Sequence, residues 1–121
     1  MAKLRIRNAT RGTTLCDRAD IADTSSKRNT GLLKHSRLDL GEGLWIVPCE
    51  AVHTIGMKFP IDVLFLDKKR RVRKIRHAMP RWRFAGSLFA HSVLELPSGA
   101  AAATQTAAGD QLEFEKYEPG E

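Results

Sequence analysis

The sequence predicts an α+β fold that is mainly β, a compact mixed or antiparallel sheet of about seven short strands with two short helices. Three observations carry this reading. Short runs of alternating or continuous apolar residues recur through the 121 residues, punctuated by Gly, Pro, Asn and Asp. Two stretches alone lose β-branched residues for long enough to form helical turns. The hydrophobic fraction of 42% and the charged fraction of 28% are those of an ordinary globular chain. The length fits one domain over 1–121 with a frayed tail at 117–121.

Taken in order, Leu4 and Ile6 alternate with Lys3, Arg5 and Arg7 as a half-buried strand, Asn8 to Gly12 is a turn, and Thr13 to Cys16 returns as a hairpin partner. Ala19 to Lys34 can hold one or two helical turns, with Asp23, Thr24 or Ser25 as N-cap and Gly31 at the end. Leu38 to Gly43 is irregular. Gly43 to Val47 is a strand ended by Pro48, and Val52 to Met57 is a second short strand in which Gly56 marks a bulge or a close backbone approach.

Ile61 to Leu66 is apolar on both faces, as a central strand must be, so Asp62 stands out. After a turn at Asp67 to Arg70 comes a strand through Val72, Ile75 and Ala78; the three-residue step from Val72 to Ile75 breaks period two and predicts a bulge between them. Met79 to Ser87, with Pro80, Trp82 and Gly86, is read as loop. Phe89 to Leu96 alternates as a strand, Pro97 opens a short helix through Ala103 or Gln105, Gly109 stops it, and Leu112 with Phe114 marks the last strand.

No run approaches the roughly 18 apolar residues of a membrane span. The first residues interleave charge with apolar side chains where a signal peptide has an apolar core, so the expected location is the cytoplasm. Cys16 and Cys49 lie in no Cys-x-x-Cys pair, and their pairing with each other depends on the fold; in a reducing compartment both are expected to be free. The net charge of +6 is unevenly spread: nine of the twenty basic residues fall between Lys68 and Arg83, and no acidic residue follows until Glu95. Such a segment favours anionic partners.

Pro48 to Asp67 gathers the most reactive side chains. Cys49, His53 and Asp62 have the residue types of a thiolate, a base and an orienting carboxylate, while the alternative is a packed Cys, a His bonded to backbone and an Asp pinning a turn. Adding His91 gives acceptable metal-ligand types without a diagnostic spacing, and no metal or cofactor is expected. His53, Thr54, Met57, Asp62 and Glu95 could equally form a small-ligand site walled by Trp45, Met57 and Phe65, and Glu95 could instead be a buried acid paired with an Arg. Lys69, Arg70, Arg71, Arg73, Lys74, Arg76, Arg81, Trp82 and Arg83 are candidates for nucleic-acid binding, with Trp82 stacking on a base; the competing reading is a solvated edge that discourages strand pairing. The residues favour a ligand- or partner-binding accessory protein over a thiol- or metal-dependent enzyme.

Several separated motifs together, Leu44-Trp45-Ile46-Val47-Pro48-Cys49, Val52-His53-Thr54, Met57, Pro60 to Asp67, Val93 to Gly99 and Gly109-Asp110, resemble the domain of unknown function 192 family, also called uncharacterised protein family 0127. The resemblance covers about residues 31–114. It implies a β-rich domain whose short helices pack against a partly closed sheet, and a family without an established activity. Many relatives are exported or lipid-anchored, and this chain departs from them at its N-terminus. It also has Lys68-Lys69-Arg70-Arg71 where relatives often place a Gly after Asp67.

Overall fold

The computed structural model describes residues 1–120 and contains, among them, nine strands and two short helices. The N-terminal hairpin forms as expected from β1 (Lys3–Asn8) and β2 (Thr13–Ala22), but β2 runs six residues beyond Cys16. Its second half, Arg18 to Ala22, pairs in parallel with β3 (Glu42–Ile46), a partner about two dozen positions away that local periodicity cannot report. The helix is thereby confined to the later part of Ala19 to Lys34 and starts after Thr24, one of the three nominated caps. In α1 (Ser25–Thr30) the Thr24 hydroxyl caps the Lys27 N–H at 3.2 Å, and Gly31, with φ of 49°, ends it.

Beyond β3 the chain forms only a three-residue β4 (Ala51–His53), and Thr54 to Phe59 is a turn in which Gly56 supplies a φ of 82°, not a bulge within a strand. β5 (Ile61–Leu66) is buried at every position. It pairs with β6 (Val72–Met79), and the expected bulge is present: Leu66 faces Val72 and Phe65 faces Lys74, leaving Arg73 as the extra residue. A second irregularity falls near Ala78, whose φ is 45°. The stretch read as loop holds β7 (Phe84–Gly86), which pairs with β4 as a separate two-stranded sheet. Conversely, Phe89 to His91 is not strand: β8 is Ser92–Pro97. After α2 (Ala100–Ala103), β9 (Leu112–Tyr117) takes Tyr117, the first residue of the expected tail, into the sheet; Glu121 lies outside the described residues.

The main sheet has the order β6-β5-β8-β3-β2-β1-β9 and mixes one parallel pair with antiparallel ones. Its edges meet at one end, where Arg71 bridges Gln111, the Val72 N–H donates to Asp110 O and the Leu112 N–H to Arg70 O. The sheet is thus rolled and pinned at one end without closing into a barrel.

Rolling gives the central strands two buried faces. Leu64, Leu66, Leu94 and Leu96 join Leu4, Ile6, Leu112 and the α2 alanines in one core. Ile61, Val63, Phe65 and Val93 join Ile46, Leu32, Met57, Met79 and Ala85 in the other, covered by the segment after α1 and by the β4–β7 sheet. Each such side chain contributes about 1.5–3 kcal/mol relative to exposure, which makes β5 and β8 the frame on which polar exceptions must be explained.

Candidate functional site

The polar exception on β8 is Glu95. Alternation places it on the same face as Val93, in register with Leu44 of β3 and Val63 of β5. It is 5% exposed, and burial alone pushes its carboxyl up to about 7, with no hydrogen bond or opposing charge among the described residues to offset it.

Glu95 forms part of the wall of a cleft of about 270 Å³, which Arg28, Leu33, Cys49, His53 and Met57 also line. Local chemistry brings them there. α1, between its Thr24 cap and Gly31 stop, brings Arg28 to the cleft and the segment after it brings Leu33, the chain leaving β3 through Pro48 delivers Cys49, and β4 presents His53 at the rim. The Arg28 guanidinium donates to Val47 O at 3.5 Å and to the Ser25 hydroxyl at 3.3 Å. The half-buried Cys49 thiol donates to Ala51 O at 3.2 Å; its pKa is raised, chiefly by burial, with a smaller push from Glu95 that Arg28 opposes. His53 is exposed, its Nδ1 accepts the Ile55 N–H at 3.2 Å, and its ring centroid lies 6.1 Å from that of Phe84.

Two nominated residues are occupied elsewhere. Asp62 lies on the other face of the sheet from Glu95, where its carboxylate receives the backbone N–H groups of Ala78 (2.7 Å), Gly99 (3.1 Å) and Ala101 (2.9 Å). It holds the distorted end of β6 and the first turn of α2, and Gly99 can take the required φ of 94° because it lacks a Cβ. A Cys49–His53–Asp62 relay therefore does not assemble. Thr54 is fully buried, donating to Pro80 O at 2.6 Å and accepting the Arg83 N–H at 2.9 Å, so it ties the turn after β4 to the approach to β7.

The expected aromatic walls are also absent. Trp45 packs edge-on against Phe114 at 4.9 Å with Arg70 above both, and Phe65 is enclosed in the core. The backbone of His91 bonds Leu66 O and the Cys49 N–H. Among the described residues, no three His, Cys, Asp or Glu side chains gather closely enough to hold a metal ion. Cys16 sits in the core opposite the cleft, its thiol pushed up to about 12 mainly by burial, and both cysteines are free.

Sequence reading missed Arg28, Gly31 and Leu33 as site residues. The helix and its caps were visible, but nothing local signals that α1 lies against the end of β3, and Arg28 is one basic residue among twenty.

The side chains of the basic segment divide between contacts within the fold and solvent. Arg70 lies 4.3 Å from the Phe114 ring and 5.2 Å from that of Trp45, Arg71 donates to the Gln111 side chain at 3.4 Å, and Lys74 donates to Gly86 O at 2.7 Å above Phe65. Arg83 reaches back to Arg81 O and Trp82 O. Lys69, Arg73 and Arg81 are exposed, Arg76 is half-buried on β6, and Trp82 is 60% exposed.

The DUF192 family profile, described as an uncharacterized ACR, matches residues 6–114. A UPF0127 protein of Thermococcus sibiricus (strain DSM 12597 / MM 739) is 32% identical over 120 residues, covering 92% of this chain and 75% of that protein. Two crystal structures share the fold at 22% identity. One, a protein of unknown function from Novosphingobium aromaticivorans DSM 12444, has a TM-score of 0.79 and covers 92% of this chain and 83% of its own. The other, from Sinorhizobium meliloti 1021 and provisionally described as a transcription regulator, has a TM-score of 0.82 and covers 94% of each chain.

Proposed function

The chain belongs to the DUF192 family, and from that premise we propose that it is a small-ligand-binding protein whose site is the cleft around Glu95. One observation carries the reading: a largely buried carboxyl on a central strand, met by no donor among the described residues, faces an open cleft. Burying such a group opposes folding, and a ligand that brings a hydrogen-bond donor or an amine would supply what the protein does not. Arg28 supports an acceptor or anionic group on the same ligand, and Leu33, Val52 and Met57 support a short apolar portion. Of the residues nominated from sequence, His53, Met57 and Glu95 belong to this proposed site, Thr54 ties the turn beside it, and Asp62 is occupied on the opposite face of the sheet. Two free thiols on opposite faces of the sheet support action in a reducing compartment such as the cytoplasm.

The test is a thermal-shift screen with amino acids, small amines and polyols at pH 6 and pH 8, on the parent, Glu95→Gln and Met57→Trp, the last to fill the cleft. The expected result is at least one compound that raises Tm in the parent and loses its effect in both variants. A screen in which no compound shifts the parent, or in which the shifts persist in both variants, overturns the reading.

A further inference from the structure

We propose that the β4–β7 lobe is a peripheral docking surface for an anionic lipid bilayer. Seven large hydrophobic side chains are exposed among the described residues, and five of them, Ile55, Trp82, Phe84, Leu88 and Phe89, belong to this lobe or its loops. Leu88 and Phe89 are the barest of the five, at 77% and 82% exposed.

The fold holds them outward. Val52 and Ala85 pair across the small sheet and face the core, so the next pair, His53 and Phe84, must face out. Trp82 precedes β7 with a φ of 64°, fixed by its N–H donating to Thr54 O, and Phe89 follows β7 with a φ of 65°. Left-handed backbone at a bulky non-glycine residue is costly, so both turns are set by the surrounding structure, and the aromatic side chains they carry are 60% and 82% exposed.

Charge identifies the partner. Four of the five, all but Ile55, lie within the segment from Lys68 to Leu94 that holds nine basic and no acidic residues, and Lys74 is joined to β7 through Gly86 O, which sets the basic edge of β6 beside it. Arg81 and Arg83 flank Trp82 at the other end. Apolar side chains that enter the boundary between headgroups and acyl chains, with Trp at the interface and cations at headgroup level, match an anionic bilayer. A single-stranded nucleic acid fits less well: Leu88 and Ile55 have no ring to stack, and Arg70 and Arg71 are already engaged by Trp45, Phe114 and Gln111.

The experiment is sedimentation of the full chain with vesicles of phosphatidylcholine alone and of phosphatidylcholine mixed with phosphatidylglycerol, at low and moderate salt. Partition to the anionic vesicles should be at least about tenfold stronger than to the neutral ones, with a blue shift of Trp82 emission in a Trp45→Phe background. The double change Leu88→Ser with Phe89→Ser should lower partition about tenfold, and Arg81→Ala with Arg83→Ala should lower it and weaken its salt dependence. Because all four side chains are exposed, unchanged melting curves will show that the variants fold. Absence of binding at low salt overturns the proposal. So does binding that ignores the Leu88 and Phe89 changes, which would be attraction to net charge alone. So does retention of a single-stranded oligonucleotide through Trp82 by protein that leaves the vesicles behind.

Discussion

Asp62 and Glu95 are buried carboxyls one register step apart on neighbouring central strands, and their surroundings are opposite. Asp62 faces the core beneath α2 and receives three backbone N–H groups. Glu95 faces the cleft, meets no donor among the described residues, and is pushed up to about 7 by burial. The contrast teaches that burial alone does not mark a functional acid. A carboxylate filled by backbone donors organises the chain, whereas one that folding leaves unmet is available to a ligand. Asp110 falls with Asp62: burial would raise its carboxyl, but hydrogen bonds from Arg11, Asn8 and the Ala107 N–H hold it below the usual range while it joins the N-terminal hairpin to the last strand.

The largest expected effect tests the filled carboxylate. Asp62→Ala strands three N–H groups and should cost about 4 kcal/mol in chemical denaturation; a loss below about 1 kcal/mol would mean that the three bonds do not organise the fold.

Glu95→Gln should act in the opposite direction. The folded pKa of about 7 lies above the ordinary value of 4.5, so between them the folded state holds more protons than the unfolded one. The neutral carboxyl's contribution is fully present below about pH 4.5 and is lost as pH rises through about 7, leaving a penalty of about 3 kcal/mol for the ionised form. The variant should match the parent near pH 4 and exceed it by up to about 3 kcal/mol at pH 8. Equal stability of the two proteins at both pH values would remove the distinction between the carboxyls.

A smaller effect comes from Thr54→Val, which keeps the shape and deletes the bonds to Pro80 O and the Arg83 N–H; a loss of about 1–2 kcal/mol is expected, with ligand shifts retained if Thr54 supports the site from outside. The smallest concerns Cys49. A thiol reagent should reach the half-buried Cys49 before the enclosed Cys16, and His53→Ala should change the Cys49 rate by less than about twofold, since the imidazole and the thiol bond different backbone groups. A large slowing would restore the thiol–imidazole pair.

Much of the frame was legible from residues. The continuous apolar run of β5, the hairpin at the N-terminus, the caps of α1 and the bulge opposite the Phe65–Leu66 step all follow from local periodicity and turn chemistry. β7 was not legible, because three residues between Pro80 and Gly86 carry too little pattern and its partner β4 lies about thirty positions earlier. The extension of β2 was hidden for the same reason. In the cleft, His53, Met57 and Glu95 could be named from their types, but Arg28 could not, since its role depends on where a short helix rests.

Sequence by itself determined which side chains share a face within each strand, because side-chain direction alternates with every residue: Asp62 goes with Leu64, and Glu95 with Val93. Only the tertiary structure decided that these two faces are opposite ones, through the register that sets Val63 beside Glu95 and Asp62 beside Leu96. A slip of one residue between β5 and β8 would put both carboxyls on one side and merge the structural Asp with the open Glu. That register comes from long-range packing and hydrogen bonding, which no local pattern encodes.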